Sequence, residues 1–455
     1  MKQLYQYLLI AFLCLFVSQN SLFSQTFTVD TILYQGDLDY PINLVFLGDG
    51  FLDSELQDFR DIAEEYATLL FTVDPFSKFQ SFFNAFSISV PSNVQGAATD
   101  PANLIDNYFG STFGYADIER LLVPTNNTAI LNVLANNLPE YDQVFMLVNS
   151  ATYGGSGGWV ATASLHEDSK EIALHELGHS FADLADEYWA GAVYAKEAIN
   201  MTQVTDLEIL SWRNWHGDDE IGLYAHDAPN SSWYRPHQYC LMRYLGEILC
   251  AVCREGIIES IYARTTPFKG YEPGITTFEI SSDSVVFKLD LNHPEPTSLE
   301  RIWYLNDVMI ANNVDSITLR ATELNQVLNT VMASVTDTSY WIRPYDDETY
   351  HKTEVEWNVS GGTLSSEQQI KILNHSAISI YPNPADDYLF VKILEEGNGE
   401  ATIELYDSQG RQIQSYIDKY PGTHTLEMSE LKAGIYMVRI SLDGKYLSSR
   451  RIIKR

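Results

Sequence analysis

The chain of 455 residues carries 28 Lys+Arg against 61 Asp+Glu, a formal charge of −33. So acidic a balance argues against a phosphate-backbone binder, because nucleic-acid affinity rests on clustered Lys and Arg. With 45% hydrophobic and 20% charged residues the chain is too apolar to be disordered, and at ~100–200 residues per domain its length corresponds to two to four domains.

The first segment reads as an export signal. Lys2 supplies a positive start, and Leu8–Val17 is an apolar run too short for the ~20 residues of a spanning helix. Ser18–Gln25 follows with small and polar residues, which places cleavage near Ser24. Cys14 is preceded by Phe12-Leu13, without the small residues a lipoprotein site wants. No later segment is apolar enough to cross a membrane, so the mature chain is expected to be exported.

Residues 40–265 alternate strand-like and helix-like patterns. Asn43–Leu47 is a buried-strand run ending in Gly48-Asp49-Gly50, which reads as a strand-end turn and lacks the spacing of a phosphate loop. Ser54–Phe71 places Leu56, Phe59, Ile62, Ala63, Tyr66 and Leu70 at helical spacing, with Asp53 or Ser54 as its cap. Ala85–Val90 and Gln143–Val148 are further strands, so the pattern is α/β. Beyond Gly270 the runs Thr276–Ile280, Ser284–Leu291, Arg301–Leu305, Ser316–Arg320 and Tyr340–Arg343 suit a small antiparallel sandwich. Ser360–Gln369 reads as a linker, and a last β-rich module begins near Ile378.

The chemistry concentrates at His175-Glu176-Leu177-Gly178-His179. On a helix, residues four apart share a face, so two imidazoles can grip one tetrahedral Zn²⁺ while Glu176 stands beside its water. Such an ion lowers the water's pKa towards ~7. Glu176 can then take the water's proton and pass it to a leaving amine. Asp168 and Glu171 are placed to form a capping box at the start of that helix. The third ligand is read as Asp186, with Glu187 and Asp183 as alternatives. Asp186 lies seven residues past His179, ~10 Å further along a straight helix. It reaches the metal only if the helix ends near Ala182–Asp183 and the chain turns back. Otherwise these acids cap the helix end or pair with an Arg.

Several other residues have plainer readings. Gly154–Gly158 fits the G-x-S-x-G pattern, yet Trp159–Ala163 does not read as the helix a serine nucleophile needs; a rim where a substrate strand lies against backbone suits it better. Tyr234 is a rim aromatic or an oxyanion donor. His216, His226 and His237 read as surface or hydrogen-bonded histidines, and Asp218-Asp219-Glu220 as a solvated run in preference to a calcium site. After cleavage Cys240, Cys250 and Cys253 remain. A local disulfide across a turn is expected, and a zinc site of Cys250-x-x-Cys253 with Cys240 is the alternative.

Four stretches, Asn43–Phe51, Tyr141–Gly155, His175–Tyr188 and Cys240–Ile257, resemble the IgA metallopeptidase family of zinc peptidases. The resemblance implies a metzincin-like catalytic domain with His175 and His179 on one zinc ion, Glu176 as base, and Met242 as the hydrophobic floor of the metal site. A buried core Met is compatible with that role. In metzincins a glycine makes the turn and the third ligand comes six residues after the second His; here those positions are Ala182 and Ala185, a departure by one residue. The family name does not carry over its substrate. The last ~80 residues resemble a type IX secretion sorting domain of Bacteroidetes, through Ile380–Ala385, Leu405-Tyr406-Asp407, Gly410, Leu431–Ile440 and the basic end 450–455. That resemblance implies recognition by the secretion machinery, then release or attachment at the cell surface.

The sequence thus reads as a multidomain chain: a signal peptide (1–24), an α/β metzincin-like zinc peptidase domain (25–267), an all-β sandwich (268–360), a linker (361–375) and a small all-β sorting domain (376–455). The expected activity is hydrolysis of protein or peptide substrates. The competing expectation is a surface adhesion or glycan-binding protein with a non-catalytic metal site.

Overall fold

The computed structural model describes residues 26–454, apart from 192–193, 228–231, 281, 325–328, 344–350, 361–377, 384, 394–398, 408–410, 433 and 443–444. The signal peptide and the linker expected at 361–375 lie outside the described residues.

The N-terminal unit is built on a six-stranded sheet of Thr28–Leu33 (β1), Ile42–Asp49 (β2), Phe83–Ser89 (β3), Gln143–Val148 (β4), Gly155–Ser156 (β5) and Val160–Ser164 (β6), in the order β1-β3-β2-β4-β6-β5. The four central strands run parallel, and β1 and β5 pair antiparallel at the edges. Parallel strands covered on both faces read as unbroken apolar runs, which is why NLVFL and QVFMLV stand out in the sequence. Side chains alternate across the sheet. Leu44, Phe46, Phe145 and Leu147 enter one core, while Val45, Leu47, Val144 and Met146 enter the other. The first core is closed by helices Leu56–Leu70 (α1), Ser169–Ala182 (α3) and Ala251–Arg264 (α4), and the second by Asn127–Asn137 (α2).

Two helix starts differ from expectation. A 3-10 turn over Asp53–Glu55 precedes α1, and Glu55, not Asp53 or Ser54, reaches back to accept from the Leu52 N–H at 2.8 Å. At α3 the Asp168–Glu171 capping box does not form: the Asp168 side chain makes no cap hydrogen bond and faces His166 at 3.5 Å.

The next unit is two facing sheets. One joins Phe268–Glu272, Ser284–Leu291 and Ser316–Arg320; the other joins Thr277–Glu279, Leu299–Leu305, Val308–Asn312, Asn329–Asp337 and Lys352–Ser360. Their core centres on Trp303 stacked on Trp357 at 5.9 Å. Tyr340–Arg343 is not a strand. Its side chains dock the sandwich on the N-terminal unit, with Arg254 over the Trp341 ring, Arg343 over Trp215, and the Arg343 N–H donating to Glu255 at 2.6 Å. The last unit is again all β, a three-stranded and a four-stranded sheet around one apolar core.

The end of β2 is a hub. The fully buried Asp49 carboxylate accepts from the backbone N–H of Gly50, Phe109 and Ser111 and from the Ser92 hydroxyl, at 2.9–3.2 Å. Gly50 follows at φ +72, where an added Cβ would lie 2.2 Å from the Gly96 carbonyl oxygen, so only glycine fits. Asp49→Asn turns an amide NH₂ towards donors and should lower stability by ~1–3 kcal/mol. The midpoint of chemical denaturation measures this, and an unshifted midpoint would remove Asp49 from that role.

Candidate metal centre

Helix α3 ends where a chain reversal begins. Asp183 adopts φ 53, ψ 26, with its N–H on the His179 carbonyl at 3.1 Å, and the Leu184 N–H returns to Gly178 at 3.2 Å. This is the left-handed helix end that glycine usually supplies, made here by an Asp. The reversal brings Asp186 back over the helix. His175 Nε2 and His179 Nε2 stand 3.1 Å apart, and Asp186 Oδ1 lies 3.1 Å from the first and 3.2 Å from the second. Donors bonded to one tetrahedral zinc at ~2.0–2.1 Å stand ~3.3 Å from each other, so the spacing fits such an ion.

The tautomers fit as well. His175 Nδ1 donates to the Leu241 carbonyl at 3.0 Å and His179 Nδ1 to the Leu184 carbonyl at 2.6 Å. A carbonyl oxygen cannot donate, so each Nδ1 carries a proton, which leaves Nε2 as the atom able to give a lone pair to a cation once any proton shared with Asp186 is displaced. Burial works against charge at His179, yet the Asp186 hydrogen bond raises its pKa to about 9. Burial would likewise raise Asp186, but the hydrogen bonds from both histidines hold it below the usual carboxylate range. The Asp186 carboxylate thus favours positive charge on the imidazole beside it. Glu176 is buried beside it, and desolvation raises its pKa.

Glycines let backbone approach this helix. A Cβ on Gly157 would lie 2.5 Å from His179 Cβ and 3.1 Å from Glu176 Oε2, and one on Gly178 would lie 2.8 Å from Met242 Sδ. The fully buried Met242 therefore packs directly under α3, between the two histidine turns. The Gly155 backbone is engaged with Arg120 and Leu122, so the open rim is Gly157–Gly158. Ser156 is buried and donates to the Leu122 carbonyl at 2.5 Å, and a strand follows it instead of a helix, which removes the serine-nucleophile reading.

Tyr234 is held in a two-residue strand against Tyr224–Ala225, and no hydrogen bond or ring contact joins it to the cluster among the described residues. A residue not singled out from sequence is there instead. The Tyr188 ring lies 6.1 Å from the His175 ring, and its hydroxyl accepts from Arg120 at 3.1 Å. Burial pushes the Tyr188 pKa up to about 12, so it keeps its proton. Its sequence signal was only a Tyr two places after an acidic candidate ligand; Arg120 lies 68 residues away. Asp183 makes the turn, and Glu187 lies in a separate cluster with the three cysteines. No disulfide joins those cysteines, unlike the local bridge expected. His237 bonds its neighbour Tyr239, and His226 lies against Trp189.

Comparison with known proteins places a family on each end of the chain. Residues 31–221 match the model of the family described as IgA Peptidase M64, and residues 379–455 match that of the secretion system C-terminal sorting domain. The peptidase match includes helix α3 and stops short of Cys240 and Met242. Both resemblances read from the sequence are therefore shown. The chain is multidomain, with an N-terminal peptidase domain and a C-terminal sorting domain that marks it for secretion or outer-surface attachment. No curated protein matches the chain. Solved structures with some similarity include dimeric latent PorU from Porphyromonas gingivalis, at 12% identity, 41% of this chain, 20% of that chain and TM-score 0.18. An immunoglobulin-like β-sandwich protein from Bacteroides vulgatus follows at 16% identity, 17% of this chain, 84% of that one and TM-score 0.14. At such scores these likenesses carry no argument. Among the described residues no helix is long and apolar enough to cross a membrane.

A Gly→Ala change inside a helix ordinarily gains up to ~1 kcal/mol. At Gly178 overpacking against Met242 should reverse the sign and cost ~1–3 kcal/mol. Urea denaturation reads the loss, and Met242→Ala in the same chain should recover part of it. A neutral single variant would contradict the packing of Met242 under this helix.

Proposed function

We propose that the chain is a secreted zinc-dependent endopeptidase whose metzincin-like catalytic domain spans residues 25–267, followed by the sandwich (268–360) and the sorting module (376–455). His175 and His179 through Nε2, and Asp186 through its carboxylate, would hold one zinc ion. The observation that carries this reading is the convergence of those three donors at 3.1–3.2 Å with both Nδ1 protons fixed on carbonyls. When bound, zinc supplies Lewis acidity at the scissile carbonyl and lowers the pKa of water towards ~7.

The chain's own groups do the rest. Glu176, its carboxylate made more basic by burial, takes a proton from the attacking water and delivers it to the departing amine. Met242 closes the floor beneath the helix. The Tyr188 hydroxyl, oriented by Arg120, is the preferred donor to the oxygen of the carbonyl under attack, in place of Tyr234. Gly157–Gly158 leave no side chain between Glu176 and an arriving peptide backbone. A protein surface or cell-wall peptide reached outside the cell is the setting that the sorting domain provides.

Glu176→Gln keeps the donors and loses the proton carrier. It should retain zinc by elemental analysis and lose at least ~10²–10⁴-fold in kcat on casein or gelatin; undiminished turnover would move the chemistry elsewhere. Tyr188→Phe should lower kcat by ~10²-fold or more with KM little changed, while Tyr234→Phe should leave kcat near that of the unaltered protein. The reverse ranking would restore Tyr234 as the donor.

A further inference from the structure

Immediately after Asp186 the chain enters a second donor cluster that the peptidase chemistry does not use. Glu187 and the thiols of Cys240, Cys250 and Cys253 are all buried, with one ligand atom of each within 4.8 Å of the others. We infer that Glu187, Cys240, Cys250 and Cys253 form a closed structural site for one zinc ion, with three sulfur donors and one carboxylate oxygen.

The distances suit a metal better than a disulfide. Sulfurs bonded at ~2.3 Å to one tetrahedral zinc stand ~3.8 Å apart, and a sulfur and an oxygen on it ~3.5 Å apart. Cys240 Sγ and Cys253 Sγ are separated by 3.7 Å, and Cys253 Sγ lies 3.3 Å from Glu187 Oε1. A disulfide would need ~2.05 Å between two of these sulfurs, and would leave the third thiol and a fully buried carboxylate facing each other. Glu187 Oε2 has no hydrogen-bond partner, which for a wholly buried carboxylate oxygen is costly unless a cation completes it.

The surroundings resemble an outer shell. Asn200, itself buried, donates to Glu187 Oε1 at 3.1 Å while its amide bridges both backbone groups of Ala185. The Cys250 N–H donates to Cys240 Sγ at 3.4 Å. Cys250 caps α4, where the N–H groups of the first turn favour thiolate. Arg235 is buried, with Nε and Nη1 unpartnered, and its charge acts on Glu187, so it offsets part of the negative charge of the ligands. Loading the site releases the thiol protons and draws on zinc alone, with no oxidant. The site ties three segments together: the Asp186–Glu187 return, the turn holding Met242, and the start of α4. The Glu187 N–H already donates to the Met242 carbonyl at 2.8 Å.

The test uses the mature chain, without the signal peptide and its Cys14, purified without chelator, and it does not depend on the first site being active. Elemental analysis should give two zinc ions per chain, with one remaining in His175→Ala/His179→Ala. Cobalt substitution of that double variant should give intense near-ultraviolet thiolate bands. Thiol titration of the denatured, unreduced chain should find three free thiols once metal is chelated. Glu187→Cys should keep the ion and strengthen the cobalt bands. No metal in the histidine variant, cobalt spectra without thiolate bands, or a single titratable thiol would each overturn the inference, the last by establishing a disulfide. These readouts are taken on chains with the cysteines intact, so a cysteine variant that fails to fold does not decide the matter.

Discussion

One residue's backbone conformation organises both donor clusters. If Asp183 continued the helix, Asp186 would travel away from the histidines along the axis. Its left-handed φ instead reverses the chain within a few residues, at a cost an Asp tolerates better than a branched or bulky residue would. The reversal also supplies part of what it serves, since the Leu184 carbonyl that it brings round accepts the His179 Nδ1 proton. Beyond it, neighbouring residues serve opposite sides. Asp186 joins the histidines and Glu187 joins the cysteines, as alternation along an extended chain allows.

The helix that ends there is fixed by contacts with no spare volume. On one side the Gly154–Gly158 segment presses against Glu176 and His179 so closely that a Cβ at Gly157 would overlap His179. Underneath, Met242 and Leu184 fill the space that a Cβ on Gly178 would occupy, and on the next helix Gly256 admits Ile199 and Leu184 in the same way. Interiors packed to this density transmit small displacements instead of absorbing them. The imidazole positions therefore depend on glycines that carry no chemistry.

Much of this was legible in the sequence where the signal is local. The buried strands declared themselves as continuous apolar runs, and the His-Glu-x-x-His spacing put both imidazoles on one face. What was not legible depended on tertiary structure or on an unusual residue doing a usual job. The reversal at Asp183 carries no glycine, so its position followed only from asking what would bring Asp186 within reach. The Asp168–Glu171 pattern looked like a capping box, yet the Asp168 side chain turns to His166. Tyr340–Arg343 has strand-like composition because its aromatic rings and guanidinium are needed for docking on Trp215 and Arg254. Arg120 and Tyr188, or Glu187 and Cys253, meet across more than sixty residues, and no periodicity reports such a meeting.

The two clusters differ in the property that separates reactive metal sites from structural ones. In the first, the side chains of His179 and Asp186 keep 20% and 18% of their surface exposed, and the rim beside Glu176 is open glycine backbone. In the second, Glu187, Cys240 and Cys253 are fully buried and Cys250 nearly so. A site that performs hydrolysis needs a free position for water and carbonyl, whereas a site that only holds chain segments together gains from having none. For an exported chain without a disulfide among its described cysteines, tying the Asp186 return to the Met242 turn by a buried ion would give the open cluster a rigid base. Such a division of labour would follow from placing adjacent carboxylates, Asp186 and Glu187, in different donor clusters.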